Sequence, residues 1–115
     1  MNRNEKSGKP VRRPKKEQLI INKRVVIGLT YYEHDGTFIE QKQLHGKVVS
    51  VDTNRVEVEL EGINAGVTFC LPRDLRSFRK ASPGIYKLNS TGEEVEDPDY
   101  TTTWSITKPP PGWKP

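Results

Sequence analysis

The chain has 115 residues, and its 19 Lys and Arg side chains against 15 Asp and Glu give a formal net charge of +4. Apolar residues make up 32% of the chain, or about 40% with the nine glycines included, below the roughly 45–50% of an ordinary globular domain. This length suits a single domain, and the lack of any stretch near ~18 consecutive apolar residues argues against a membrane-spanning helix.

The only cysteine, Cys70, has no second thiol with which to form an intramolecular disulfide. Small secreted domains commonly carry several paired cysteines. The basic N-terminus is also not followed by the apolar segment of a signal peptide. The sequence therefore predicts a cytoplasmic protein.

The positive charge is concentrated at the N-terminus. Residues 1–18 contain seven basic and two acidic side chains, and only Met1 and Val11 are apolar apart from prolines. Such a segment buries too little apolar surface to offset its ordering entropy, so we predict a disordered basic tail. Residues 108–115 include four prolines and predict an extended tail. The folded domain is then residues 19–107, with a net charge of −3.

The first predicted strands flank a glycine turn. Residues 25–32 combine β-branched and aromatic side chains with a period of two, which is typical of a strand. Asp35-Gly36 follows, a pair suited to the positive φ angles of a two-residue type I′ hairpin turn. The chain resumes as a strand at 37–39, and residues 47–52 predict another.

The clearest strand spans residues 55–61. Apolar and charged side chains alternate along it, so one face is predicted to join the core and the other to meet water. The inward side chains are Val56, Val58 and Leu60, and the outward ones are Arg55, Glu57, Glu59 and Glu61. We expect the acidic outward face to repel a phosphate backbone.

A strand and a helical turn are predicted next. Residues 67–71 form a strand with Val67, Phe69 and Leu71 on its inward face, and Pro72 ends it because proline cannot donate to a central ladder. Residues 74–78 predict one helical turn in which Leu75 and Phe78 face inward.

Two strands complete the predicted domain. Residues 85–88 form a short strand after Pro83-Gly84. Residues 101–107 form the closing strand, and Trp104 and Ile106, which are two positions apart, are both expected to point into the core.

These elements predict an all-β fold, namely a small antiparallel barrel of five to six strands with one short helical turn and disordered ends. The order of strands and turn resembles that of SH3-like and Sm-like barrels in topology, although the chain carries no diagnostic motif of either family. An open meander or a small sandwich remains the alternative, because periodicity alone does not distinguish them.

The residues with catalytic chemistry do not form a recognisable set. His34 and His45 match no recurrent zinc spacing, and Cys70 has no second thiol beside it. The acidic run at 93–99 lacks the alternating ligands of a calcium loop and is interpreted as a solvated loop. We therefore predict no enzyme activity, no metal and no cofactor. An enzyme using His45 and Cys70 is the weaker alternative.

Two basic features are candidates for binding anions or nucleic acid. One lies in the tail. The other spans the predicted helical turn, where a spacing of three to four residues would align cations on one exposed edge. The candidate contact residues are Arg12, Arg13, Lys15, Lys16, Arg73, Arg76, Arg79 and Lys80.

The sequence leaves the specific function open and favours a non-enzymatic β-barrel interaction module that binds a protein partner. The alternative is a nucleic-acid accessory protein that uses the basic tail and the Arg73/Arg76/Arg79 edge. The negative charge of the folded domain argues against nucleic acid as its main partner. We expect no membrane association, and a monomer or a weak dimer.

Overall fold

A computed structural model describes residues 15–112, and the predictions for residues 1–14 and 113–115 lie outside that range. The described chain is mainly β, which confirms the predicted class. Helix α1 (Lys16–Ile20) comes first, and 3-10 turns lie at Gly62–Asn64 and Leu75–Ser77. The strands are β1 (Arg24–Tyr32), β2 (Phe38–Val51), β3 (Arg55–Leu60), β4 (Thr68–Pro72), β5 (Arg79–Lys80), β6 (Ile85–Lys87), β7 (Glu94–Glu96) and β8 (Tyr100–Thr107). Within this range no helix has the length and apolar content needed to cross a bilayer.

Six strands form one open sheet. Their order is β4-β3-β2-β1-β8-β5, while β6 and β7 form a separate two-stranded sheet. The predicted closed barrel is therefore wrong, because the edge strands β4 and β5 do not pair with each other. Closure is disfavoured because β5 has only two residues and because Pro72, at the end of β4, has no N–H to donate.

Strand β8 runs parallel to β1, whereas the other neighbouring strands pair antiparallel. The prediction of a purely antiparallel sheet is wrong at this pair, because side chains alternate with the same period in both orientations. The register sets Val25 beside Tyr100 and Ile27 beside Thr102. Strand β8 thereby extends the core face of β1.

The main core joins both halves of the sheet. Leu71 of β4 and Tyr100 of β8 belong to one buried cluster with Ile27 and Phe78. These two strands are four steps apart, which would separate them by about 19 Å in a flat sheet. The cluster therefore extends across five neighbouring strands on one face of the sheet. Phe78 is only 1% exposed and Leu75 packs partly against the core, so the predicted inward turn is confirmed.

A smaller core lies on the outer face of the sheet. Val26 there packs with Leu88 and Val95, and Tyr86 contacts the same group. The β6–β7 hairpin thus covers one part of the outer face, around the middle of the sheet. Of this hairpin, the sequence pattern predicts only the strand at 85–88.

Three local predictions need correction. The β1–β2 connection is a loop closed by the Glu33 N–H donating to the Thr37 carbonyl at 2.7 Å, rather than a two-residue turn. Gly36 has a positive φ of 91°, but Asp35 does not. Val67 and Ile106, both predicted inward, are 51% and 38% exposed because they lie at the margins of the core.

Helix α1 overlaps the predicted tail. It begins at Lys16, so residues 16–18 are helical although the sequence assigned them to the disordered segment. Ile20 at its end is fully buried in the main core. That burial contributes about 1.5–3 kcal/mol, enough to hold a single helical turn against the sheet.

Three strands continue past the ends of β3 and β5 at one end of the sheet. We call this extension the arm, and it consists of residues 30–32 of β1, 38–42 of β2 and 103–107 of β8. Strand β3 pairs with β2 only from Gly46 onward, and β5 reaches β8 only at Thr101 and Tyr100. Neither β3 nor β5 therefore pairs with the two outer strands within the arm.

Candidate functional site

The predicted basic residues do not form one surface. Arg12 and Arg13 lie outside the described residues, and Lys15 is exposed just before α1. Lys16 has a structural contact, because its Nζ donates to the Phe78 carbonyl at 2.8 Å and lies 5.6 Å from the Tyr100 ring centroid. This lysine ties α1 to the segment before β5.

The predicted helical alignment of Arg73, Arg76, Arg79 and Lys80 is wrong. The 3-10 turn ends at Ser77, and the last two residues belong to strand β5. Arg73 pairs with Glu17 of α1, while the Arg76 side chain is 95% exposed and lies 3.5 Å from Asp74. Each of these two arginines therefore lies beside a carboxylate.

A pocket of about 280 Å³ lies beside β5. Its lining includes Lys23, Lys80, Asp99 and Tyr100. Asp99 supplies a negative charge to the same lining, and its carboxylate accepts a hydrogen bond from the Arg24 N–H at 3.0 Å. The mixed charge makes this pocket a weak candidate for an anion.

His45 takes part in a partly buried polar contact that the sequence did not reveal. Its Nε2 lies 3.2 Å from the Glu93 carboxylate, and its Nδ1 lies 3.9 Å from Glu61. Glu93 also accepts a hydrogen bond from the Ile63 N–H at 3.0 Å. Gly62 has a positive φ of 72°, and a side chain there would collide with Glu93 and His45. The contact therefore joins β2, the first 3-10 turn and the β6–β7 hairpin.

The Glu93 carboxyl is held in its ionised form. Burial by itself raises the pKa of Glu93, but hydrogen bonds from the Ile63 N–H and with His45 favour the charged state more strongly, so its pKa lies below the usual 4.5. The interpretation of 93–99 as solvated is thus wrong at Glu93, whereas the other acidic residues of the run are exposed, namely Glu94, Glu96, Asp97 and Asp99. The role of Glu93 is to fasten the hairpin to the sheet.

The alternative of an enzyme using His45 and Cys70 gains no geometric support. Cys70 is exposed on β4 and pairs with Glu57 of β3, whereas His45 contacts Glu61 and Glu93. Between residues 15 and 112, no group of three His, Cys, Asp or Glu side chains is arranged to hold a metal ion.

The strands between residues 15 and 112 leave most of the outer edge of β8 uncovered. The Lys108 N–H donates to the Tyr32 carbonyl of β1 at 2.8 Å, and the Asp99 carbonyl accepts from Ala81, beside β5, at 3.1 Å. Backbone groups of successive strand residues point to opposite sides. The N–H and C=O groups of Thr103, Ser105 and Thr107 therefore point away from β1, and β5 does not extend to them.

The side chains along this edge are uncharged. Thr103, Ser105 and Thr107 are exposed on the outer face. On the core face, Trp104 is half-buried, Ile106 is 38% exposed, and the Trp104 Nε1 is buried without a partner among the described residues. Natural edge strands commonly carry Lys, Pro or a bulge that blocks pairing, and residues 103–107 have none of these.

The other two long edges are less available. On β2, the Gln43 N–H donates to the Ser90 hydroxyl at 2.8 Å, and that hydroxyl donates back to the Gln43 carbonyl at 3.5 Å. Ser90 thus occupies the place of a neighbouring strand. Strand β4 ends at Pro72, which has no N–H, and has only five residues. The edge of β8 is therefore the candidate site.

Sequence reasoning missed this site because it assigned Trp104 and Ile106 to a closed core. The available signal was a run of seven uncharged residues at 101–107, rich in threonine, followed by a basic and proline-rich segment. No protein-family model, curated protein or solved structure shows a significant match to this chain.

Proposed function

We propose that the protein is a non-enzymatic interaction module that binds a protein partner by adding an extended segment of that partner to the edge of β8. The observation that supports this proposal is that no strand among residues 15–112 pairs with the outward backbone groups of Thr103, Ser105 and Thr107, which lie on an uncharged strand. Main-chain hydrogen bonds supply affinity in such strand addition, and alternate side chains supply specificity. Trp104 and Ile106 would provide the apolar contacts.

Nucleic-acid binding by the folded domain is less well supported. Arg73 pairs with Glu17, and Lys16 is engaged with the Phe78 carbonyl. The folded part also has net negative charge. Nucleic-acid affinity grows with the number of phosphates that cations neutralise, so an alternative binding mode would depend mainly on the N-terminal segment.

The proposal can be tested with a display library of random peptides and the full chain. We expect selected peptides to bind the wild type and to perturb the backbone amide NMR signals of residues 103–107. The variant Ser105→Pro should abolish their binding, because proline removes the outward N–H while leaving the bonds to β1 intact.

The matched control is Gln41→Pro on the edge of β2. Gln41 lies two positions before Gln43 and so points its backbone to the same open side. This variant should retain peptide binding. Selected peptides that bind Ser105→Pro as well as the wild type would contradict the proposal, and so would a failure to select any peptide that perturbs 103–107. Amide spectra of both variants verify that they are folded.

A further inference from the structure

We infer that the segment added to β8 is the β8 strand of a second copy of this chain, paired antiparallel about Ser105. This inference rests on the proposed strand addition and names its partner. It follows from the length of the open edge, from the hydrogen-bonding pattern and from the side chains on the two faces.

The open edge has a natural centre. Strand β5 covers it up to Thr101, and Pro109, which has no N–H, comes directly after Lys108. The segment between these limits is 102–108, and its middle residue is Ser105. An antiparallel pair with a two-fold axis at Ser105 therefore uses the whole open edge of both copies.

The same register satisfies the backbone groups. Antiparallel pairing about Ser105 sets Ser105 opposite itself and sets Thr103 opposite Thr107 of the second copy. All of these residues point their N–H and C=O groups outward, so each opposing pair exchanges two hydrogen bonds. If the register shifted by one residue, the outward N–H and C=O groups of one copy would lie opposite residues whose backbone groups already bond to β1. The hydrogen bonds between the two copies would then be lost.

The side chains also match across the axis. Trp104 lies opposite Ile106 of the second copy, and the reverse contact forms by symmetry. An aromatic residue opposite a β-branched one is a stabilising cross-strand pair. Both side chains are on the core face, where Ile106 is 38% exposed and Trp104 is half-buried in the single chain. The contact would cover the apolar surface at the end of the arm.

No charge repulsion opposes self-pairing, because residues 101–107 contain no ionised side chain. The nearest cation, Lys108, lies three positions from the axis, so the two copies of it fall at opposite ends of the paired segment. A strand pair of this length buries less than the roughly 1,200 Å² of the smallest stable interfaces. The dimer is accordingly weak, and its population depends on concentration.

Sedimentation equilibrium of the full chain over a range of concentrations tests the inference. We expect the wild type to pass from monomer to dimer as the concentration rises. The variant Thr103→Lys/Ser105→Lys/Thr107→Lys sets like charges opposite each other at every outward position. The dissociation constant of its dimer should be about tenfold higher than that of the wild type. The corresponding variant with Glu at the three positions should behave in the same way.

An equimolar mixture of the Lys and Glu variants separates pairing from misfolding. Opposite charges then face each other, so a heterodimer should form at concentrations where neither variant dimerises alone. The charge-matched control is Thr53→Lys/Ser82→Lys/Asn89→Lys, which alters exposed positions outside the open edge at 102–108 and should dimerise like the wild type. A wild type that stays monomeric, a Lys variant that dimerises normally, or a mixture that stays monomeric would each overturn the inference.

The two proposals fail in different ways. If the wild type is monomeric while selected peptides still bind and lose binding in Ser105→Pro, self-pairing is wrong and strand addition stands. If neither dimerisation nor peptide binding at 103–107 is observed, both proposals are wrong.

Discussion

Gly46 is the position where the long strand β2 begins to pair with β3. It is buried and lies opposite Leu60. A methyl group added there would lie 2.9 Å from the Leu60 Cα and closer still to the Glu59 carbonyl oxygen. Both neighbours are backbone atoms that cannot rotate away, so Gly46→Ala would force β2 and β3 apart. Overpacking of this kind costs about 1–3 kcal/mol, and we expect the upper end, about 3 kcal/mol.

The matched control is Gly28→Ala in β1. A methyl group at Gly28 would lie 3.3 Å from the Thr103 Cγ2, and Thr103 is exposed and can turn away. Removing a strand glycine also gains about 0.5–1 kcal/mol, so the net change should be within about 1 kcal/mol.

Urea unfolding monitored by circular dichroism measures both variants. With a slope of about 2 kcal/mol/M, a loss of about 3 kcal/mol lowers the midpoint by about 1.5 M. We expect this shift for Gly46→Ala and a much smaller one for Gly28→Ala. Equal shifts in the two variants would refute the argument that the β2–β3 backbone contact at Gly46 is what limits side-chain size.

Three further predictions concern the two cores and the hairpin. Phe78→Ala should lower the free energy of unfolding by about 3–5 kcal/mol in urea, whereas Phe38→Ala, at a side chain 57% exposed, should lower it by less than about 1 kcal/mol; similar losses would contradict the assigned core. The lowered pKa of Glu93 stabilises the fold above pH 4.5, and that stabilisation is lost as the pH falls through the lower folded-state pKa. Glu93→Gln should therefore reduce the loss of unfolding free energy as the pH is lowered, whereas Glu94→Gln, at an exposed side chain, should not. An unchanged pH dependence of the unfolding free energy in Glu93→Gln would show that the carboxylate is not held by its neighbours. Leu88→Ala should speed amide hydrogen exchange in β6 and β7 but not in β3, and uniform acceleration would indicate that the hairpin does not open separately.

Local patterns predicted the inward faces well. Val56, Val58 and Leu60 are all buried, as their alternation with charged residues indicates. Phe78 is buried beside a short 3-10 turn, as its spacing from Leu75 indicates. These predictions succeed because burial on one face of a strand or turn depends on side chains close together in sequence.

The local alternation of apolar and polar residues did not reveal the contacts between segments far apart in the chain. Glu93 stands among other acidic residues and was interpreted as solvated, yet it lies against His45, which is 48 positions earlier in the chain. Ile106 alternates correctly for a core position. However, β5 pairs with β8 only as far as Thr101, so Ile106 lies at the margin of the core. Neither outcome depends on the residues immediately around these positions.

By itself the sequence determined the strand class, most of the inward side chains and the concentration of positive charge in residues 1–18, against a net charge of −3 over residues 19–107. The tertiary structure alone decided that β8 lies parallel to β1 and that the sheet stays open. Strand partners and their direction are chosen by contacts between segments far apart in the chain, and the period-two pattern is the same for either direction. The open edge of β8, on which the proposed function depends, follows from that choice of partners.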